Sequence, residues 1–350
     1  MLPYAINLYL STVFLLIANN QKNIQIRIFC YLLSGLSLVF LISMRFFTVG
    51  TDTRNYVTKF AKQPADSLLG ENEVGFEFLM LVAKQFSEEY FVFLFFVALV
   101  FVTCCLTIII RNIKSYEVGL FVFITMGFYS FIFNGTRQGL ALSVFMVSLP
   151  YLVNRNLFKY IVVIVCASLF HKSVLITIPL YFFTSKFCSY KKIITIFFSS
   201  FVLLLLFEQI IVFATLFDEK YSGYSLQHNS GGYYITGLNL LICLSLIFIK
   251  KFIRYEKEIY NQFLTMYVIG TAISLVAVLS GTNASGFLRL SLYFNVSLVF
   301  LVPIVFRNIR TELNKLIFSF LFVFFFSAYY FVTTSTFSNL APYIFNPILF

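Results

Sequence analysis

Apolar residues fall in long runs along this chain, separated by short polar stretches. A helix that crosses the hydrocarbon of a bilayer takes about 20 mainly apolar residues. Runs near that length lie at about 3–18, 26–47, 90–110, 118–133, 137–152, 160–171, 173–186, 193–214, 236–250, 262–281, 287–306 and 315–332. The pattern predicts an all-α polytopic membrane protein with about twelve transmembrane helices, in a single membrane domain over residues 1–350. The pair around 160–186 is one apolar stretch broken by His171-Lys172-Ser173, which a short hairpin or two tilted half-helices would fit equally. The first run lacks a basic start and leads into Asn19-Asn20-Gln21-Lys22, so it reads as a span and not as a cleaved signal peptide.

Two loops are long enough to carry structure of their own, at about 48–89 and about 215–236. In the first, Phe76, Leu79, Met80, Val82, Ala83 and Phe86 recur at helical spacing, opposite Glu77, Lys84 and Gln85. This predicts a short amphipathic helix lying at the membrane interface. The second holds Asp218-Glu219-Lys220 and a Tyr/Gly-rich stretch suited to sugar stacking or to a lid.

Composition agrees with the pattern: 60% of residues are hydrophobic, 11% are charged, and mean hydropathy is +0.91. Soluble chains are about a quarter charged, so lipid is the solvent here. With 22 Tyr and no Trp, Tyr must serve as the interfacial aromatic. The net charge of +11 is explained by topology and not by nucleic acid. With the N-terminus outside, the inner loops hold 16 of the 25 Lys and Arg but only 4 of the 14 acids. That is the positive-inside bias, and the mirror topology would reverse it. No Gly-rich phosphate loop or RNA-binding motif is present. The six cysteines lie in or beside apolar runs without zinc spacing, and the two histidines form no paired ligand motif, so no metal or other cofactor is expected.

The remaining cations and acids fall at the outer face or in the outer halves of the spans, where an ionisable group is costly and therefore a functional candidate. They include Asp52, Arg54, Arg137, His171, Lys172, Glu208 and Arg289. Asn134-Gly135-Thr136-Arg137-Gln138 sits at a helix N-terminus, where free amides and a planar guanidinium make a ready anion site. His171 can act as a general base near neutral pH, and Lys172 beside it would favour the uncharged ring. Arg289 and Tyr293 are four apart, the spacing of one helix face. The role of Glu208, in the outer half of its span, is open.

At these positions the chain resembles the EpsG family of bacterial exopolysaccharide proteins and, through it, the Wzy-type O-antigen polymerases. The resemblance rests on Gly50-Thr51-Asp52 with Tyr56 and Phe60, on Glu73 to Phe78, and on Thr136-Arg137-Gln138-Gly139-Leu140-Ala141. It continues through Ser168-Leu169-Phe170-His171-Lys172-Ser173 with Pro179-Leu180, Arg289-Leu290-Ser291-Leu292-Tyr293-Phe294 before Pro303, and Pro342-Tyr343. The order, spacing and placement of these motifs on one face make the combination specific. Lys172 departs from the pattern, where a small or hydroxyl residue is expected.

The resemblance implies a fold like that of the large polytopic (GT-C-like) glycosyltransferases, in the bacterial inner membrane, with the active site facing the periplasm or exterior. It implies transfer of a growing glycan from undecaprenyl pyrophosphate to a sugar hydroxyl of a new lipid-linked repeat unit, giving O antigen, capsule or exopolysaccharide. Donor, acceptor and bilayer are then the partners, with a chain-length regulator protein as a further candidate and no nucleic acid. For that metal-independent chemistry the expected groups are Arg137 and Arg289 as the diphosphate clamp, aided by Arg54, Gln138 and Lys172. His171 is the first candidate for the base and Asp52 the second, while Tyr56 and Tyr293 would meet sugar rings. An O-antigen ligase, a flippase for the lipid-linked repeat and a glycan acyltransferase are the alternatives. The modest late outer loop and the lack of an internal repeat favour the polymerase over the first two.

Overall fold

The structure, a computed structural model, describes residues 1–68, 70, 73–206, 209, 232–281, 286–337 and 339–347. Regular structure among them is helical, apart from one isolated antiparallel bridge between Arg45 and Phe345. They pack into two compact units, Met1–Ile178 with Ile309–Phe350, and Pro179–Asn308.

The first unit opens on a helical hairpin, α1 (Leu2–Asn20) and α2 (Ile24–Ser43). Asn23 starts the second arm by accepting a hydrogen bond from the Gln25 amide at 2.8 Å, satisfying one of the free donors of the first turn. Behind the hairpin, α2 packs on α5 (Tyr90–Asn112), α5 on α7 (Thr136–Val153), and α7 on α8 (Leu157–Ser168). Helix α6 (Tyr116–Thr125) leans on α1 and continues through a 3-10 turn, Ser130–Phe133. On α2 the residues Phe29, Leu32, Leu36 and Phe40 form an exposed apolar stripe at helical spacing, a surface suited to lipid and not to water.

Between α2 and α5 the chain forms two short helices, α3 (Thr53–Lys62) and α4 (Val74–Lys84). The second is the predicted loop helix, and Phe76, Leu79, Met80 and Ala83 turn inward as the pattern gave, but the buried face is wider than the apolar one. Glu77 and Lys84 are buried, whereas Phe78 and Phe86 are exposed. The reason is local pairing. Glu77 accepts from the Gly70 amide at 2.9 Å, and the Lys84 ammonium sits over the Phe60 ring while pairing with Glu88. Satisfied charges can be buried, so a count of apolar positions underestimates the width of the face. Helix α3 was not anticipated by the run of apolar residues, because only Thr53, Tyr56 and Phe60 of its ten residues turn inward.

The second unit holds α9 (Leu180–Phe183), α10 (Tyr190–Leu205), α11 (Tyr233–Ile249), α12 (Lys257–Leu279), α13 (Leu292–Asn295) and α14 (Leu298–Asn308). Helix α12 is its centre. Tyr260 donates to the Leu246 carbonyl at 2.7 Å, Tyr267 to Asn239 Oδ1 at 3.0 Å, and Asn261 to the Lys186 carbonyl at 2.9 Å. In the first unit, α15 (Glu312–Val332) completes the helices.

Among the described residues, eight helical stretches are long and apolar enough to cross a membrane: Leu2–Asn20, Ile24–Ser43, Tyr90–Asn112, Tyr116–Phe133, Tyr233–Phe252, Lys257–Leu279, Phe287–Asn308 and Glu312–Thr336. The chain is thus a multi-pass membrane protein. Every predicted run contains helix, but four fall outside these eight. Helix α7 opens on Thr136-Arg137-Gln138-Gly139 and contains Pro150, α8 has 12 residues, and α10 has 16. The stretch Lys172–Phe183 is broken at Pro179 into a 3-10 turn and the four-residue α9. Glu208 and most of the loop at 215–236 lie outside the described residues.

The break after α8 is pinned from inside. Tyr160, wholly buried on α8, donates to the Thr177 carbonyl at 2.7 Å and so holds the segment that carries His171. A Tyr160→Phe exchange leaves that carbonyl unpaired and is expected to lower unfolding stability by about 1 kcal/mol. Thermal unfolding of the detergent-solubilised protein checks this; an unchanged transition would show that the bond contributes nothing.

Candidate active site

Two close backbone approaches assemble the site. The first joins the start of α3 to the turn ahead of α7. Gly50 has a φ of +90°, and a Cβ there would lie 2.5 Å from the Phe133 carbonyl oxygen. The next amide, of Thr51, donates to Asn134 Oδ1 at 2.8 Å. Thr53 Oγ1 lies 2.7 Å from the Val49 carbonyl and 3.3 Å from that of Phe133. With α3 fixed in this way, Tyr56 falls one turn on. Its hydroxyl oxygen accepts from the backbone amide and the side chain of Arg137. The ring packs edge-on against Phe76, with centroids 5.3 Å apart.

The second approach joins the start of α4 to the end of α8. The Gly75 amide donates to the Leu169 carbonyl at 2.8 Å, and a Cβ at position 75 would stand 2.8 Å from that same oxygen. Only glycine lets the two backbones meet so closely. Glu73 lies two residues before this contact and His171 two residues after it, so their side chains are brought together. His171 Nδ1 is 2.8 Å from Glu73 Oε1, and Arg137 Nη1 is 2.6 Å from Glu73 Oε2. One carboxylate therefore bridges an imidazole and a guanidinium.

Access and charge fit a working centre. The Glu73 side chain is only 12% exposed, while those of His171 and Arg137 are 30% and 31% exposed. Burial pushes the Glu73 carboxyl upward, but the hydrogen bond to His171, the charge of Arg137 and the hydrogen bonds from Arg137 and its own amide outweigh it. They hold the group at about 2, against an ordinary 4.5. Burial raises the Tyr56 hydroxyl, an effect that Arg137 opposes and Asp52 reinforces. An ionised carboxylate can only accept hydrogen bonds, so His171 Nδ1 must carry the proton in this pair. In the neutral ring, Nε2 is then left with a lone pair. Among the described residues, no third carboxylate, thiol or imidazole joins Glu73 and His171 in a group able to hold a metal.

Several expected residues thus meet at one place: Arg137, His171 and Tyr56 make the cluster, Asp52 adjoins it through Tyr56, and Gln138 is buried next to Arg137. Tyr56 is itself buried, so its hydroxyl holds Arg137 and its ring is not free to stack on a sugar. Arg54 and Lys172 are exposed, and Thr51 Oγ1 donates to Asp52 Oδ1 at 3.2 Å. Arg289 and Tyr293 belong to the second unit. They do not share one helix face, because the 3-10 turn Phe287–Ser291 ends between them and α13 begins at Leu292. Tyr293 is completely buried and offers no ring face to a sugar. The member that sequence reasoning passed over is Glu73, which appeared only inside a motif. Its signal was weak, a carboxylate just ahead of an outer-loop helix with Glu71 and Glu77 close by in sequence.

A family model described as the EpsG family matches residues 28–345, nearly the whole chain and the full set of clustered residues. No curated protein and no solved structure matches it. The helical membrane fold and this match agree: the chain belongs to the EpsG family.

Proposed function

We propose that this member of a polysaccharide-polymerase family is a glycosyltransferase that joins lipid-diphosphate-linked oligosaccharide repeat units on the outer face of the membrane. The observation that carries this reading is the Glu73 carboxylate shared by His171 and Arg137. Glu73 orients the imidazole so that His171 Nε2 takes the proton of an acceptor sugar hydroxyl. That oxygen forms its bond to the anomeric carbon of the donor glycan as the bond from this carbon to the diphosphate oxygen breaks. The leaving lipid diphosphate keeps the electron pair, and Arg137 meets the growing charge in a partly dehydrated site. The donor is an undecaprenyl pyrophosphate glycan and the acceptor a second such lipid. Lys172 is a further cation for the diphosphates, and Asp52 is a second base. The positive-inside bias supports the outward placement, and the balance of outer cations without a metal motif supports an arginine clamp. The product is O antigen or a related surface polysaccharide, and the membrane is the bacterial inner membrane.

The test is a surface-glycan gel from a strain lacking the gene, complemented with wild type or variants at equal protein levels. His171→Ala should reduce polymer by a factor on the order of 10² to 10⁴, the usual worth of a general base. Arg137→Ala should likewise collapse the ladder to single repeat units on the lipid anchor. Loss of every repeat would point instead to a flippase or a ligase, and an unchanged ladder for both variants would sink the reading.

Gly75→Ala forces the α4 start away from Leu169 and should cost polymer yield about 10²-fold, since misplacement on the scale of an ångström has that effect. Normal polymer from this variant would show that the approach does not set the Glu73–His171 geometry.

Glu73 also fixes a pH dependence. Its folded value is depressed, so its stabilising contribution is complete above about 4.5 and is lost as pH falls toward about 2. The stability gap between wild type and Glu73→Gln should therefore be constant near neutrality and close through that acid window. Unfolding measured across pH in detergent checks this, and a gap that stays constant down to about pH 2 would contradict it.

A further inference from the structure

Arg45 is not a member of the catalytic cluster, yet its side chain is among the largest fully buried ones in the chain. It has no carboxylate partner among the described residues. Its guanidinium instead donates from Nε to Thr53 Oγ1 at 3.2 Å and from Nη1 to the Ile42 carbonyl at 3.2 Å. The charged carbon sits 4.7 Å from the centre of the Phe133 ring, and Tyr4, Tyr56, Tyr129 and Tyr343 lie within electrostatic reach. Nη2 is buried with no acceptor among the described residues. A buried guanidinium without an acid is expensive, and apolar side chains would fill the same volume more cheaply. What the charge obtains is geometry: a planar fork that stacks on one element while bonding another.

The two elements it joins are those that present the site. Thr53 is the first residue of α3, three residues before Tyr56, and Phe133 ends the turn that leads into Arg137. Thr53 also lies between the Arg45 Nε and the Phe133 carbonyl, so the three form one unit. On its other side, the segment around Arg45 is bridged to the C-terminal segment: Phe46 N–H donates to the Ile344 carbonyl at 2.8 Å, and Asn346 N–H to that of Met44 at 2.9 Å.

We infer that Arg45 is a positioning residue for the transfer reaction, a buried cation that fixes Arg137 for the substrate diphosphate by locking α3 and Tyr56 to the turn at Phe133. It does not touch substrate. The inference rests on the proposed role of Arg137.

The experiment is a double-mutant cycle. Membranes carrying wild type, Arg45→Lys, Arg137→Lys or both are given lipid-linked repeat units extracted from cells that lack the polymerase, and initial polymerisation rates are compared at equal protein amount. Lysine keeps the charge but loses the fork and the stacking. Arg45→Lys should slow the reaction about tenfold. In the Arg137→Lys background it should cause no further loss beyond about twofold, because the residue it positions is already compromised. A second variant, Thr53→Val, keeps the shape of the side chain, removes the linking hydroxyl and should be masked in the same way. Losses that multiply in the double variants would show that Arg45 acts independently of Arg137, as a merely structural residue does, and would overturn the inference. An undiminished rate for Arg45→Lys and Thr53→Val beside a slowed Arg137→Lys would overturn it as well. An undiminished rate for Arg137→Lys would instead remove the proposed function, and the positioning role with it.

Discussion

The site depends on one carboxylate placed where carboxylates are costly. Glu73 is largely buried within a helical membrane body, and it stays ionised because an arginine and a histidine each take one of its oxygens. Each of the three would be a liability alone. Together they leave a guanidinium with spare donors and an imidazole with one defined free nitrogen, both partly open to whatever approaches. Other features of the first unit serve to hold this triad: Tyr56 on Arg137, the glycine approach under Glu73, and the Tyr160 anchor behind His171.

Much of the architecture was legible in the sequence because lipid imposes a simple rule, that backbone polar groups must be satisfied within the span. Long apolar runs could only be helices, and each run contains helix. Their number as spans was less legible. Helices α7 and α8 and the stretch around Pro179 depart from the simple pattern because they carry or adjoin the cluster of Arg137 and His171, where polar groups, turns and short helices replace uninterrupted hydrocarbon. On α4 the apolar face was legible, but Glu77 and Lys84 are inward as well because each has a partner, and pairing across a fold is invisible to periodicity.

The candidate residues were legible in part for a related reason. Arg137 and His171 stood out as charges remote from the inner loops. Glu73 did not, since an acid in an outer loop needs no special explanation until its neighbours are known. Arg45 was hidden for the opposite reason. It lies near the end of an apolar run, where a membrane-end arginine ordinarily snorkels to the headgroups, but this one turns inward onto Phe133. Sequence can mark the ionisable groups in a membrane protein, but only the fold tells which of them are partners.

The junction between Gly75 and Leu169 constrains its two ends unequally. At position 75 any side chain collides with a carbonyl, whereas the bond to position 169 is made by the main chain and the Leu169 side chain is half exposed. Residue 169 is thus free to vary in identity while the spacing of Glu73 and His171 stays the same. Evolution can retouch the surface next to the histidine without disturbing the ion pair beneath it.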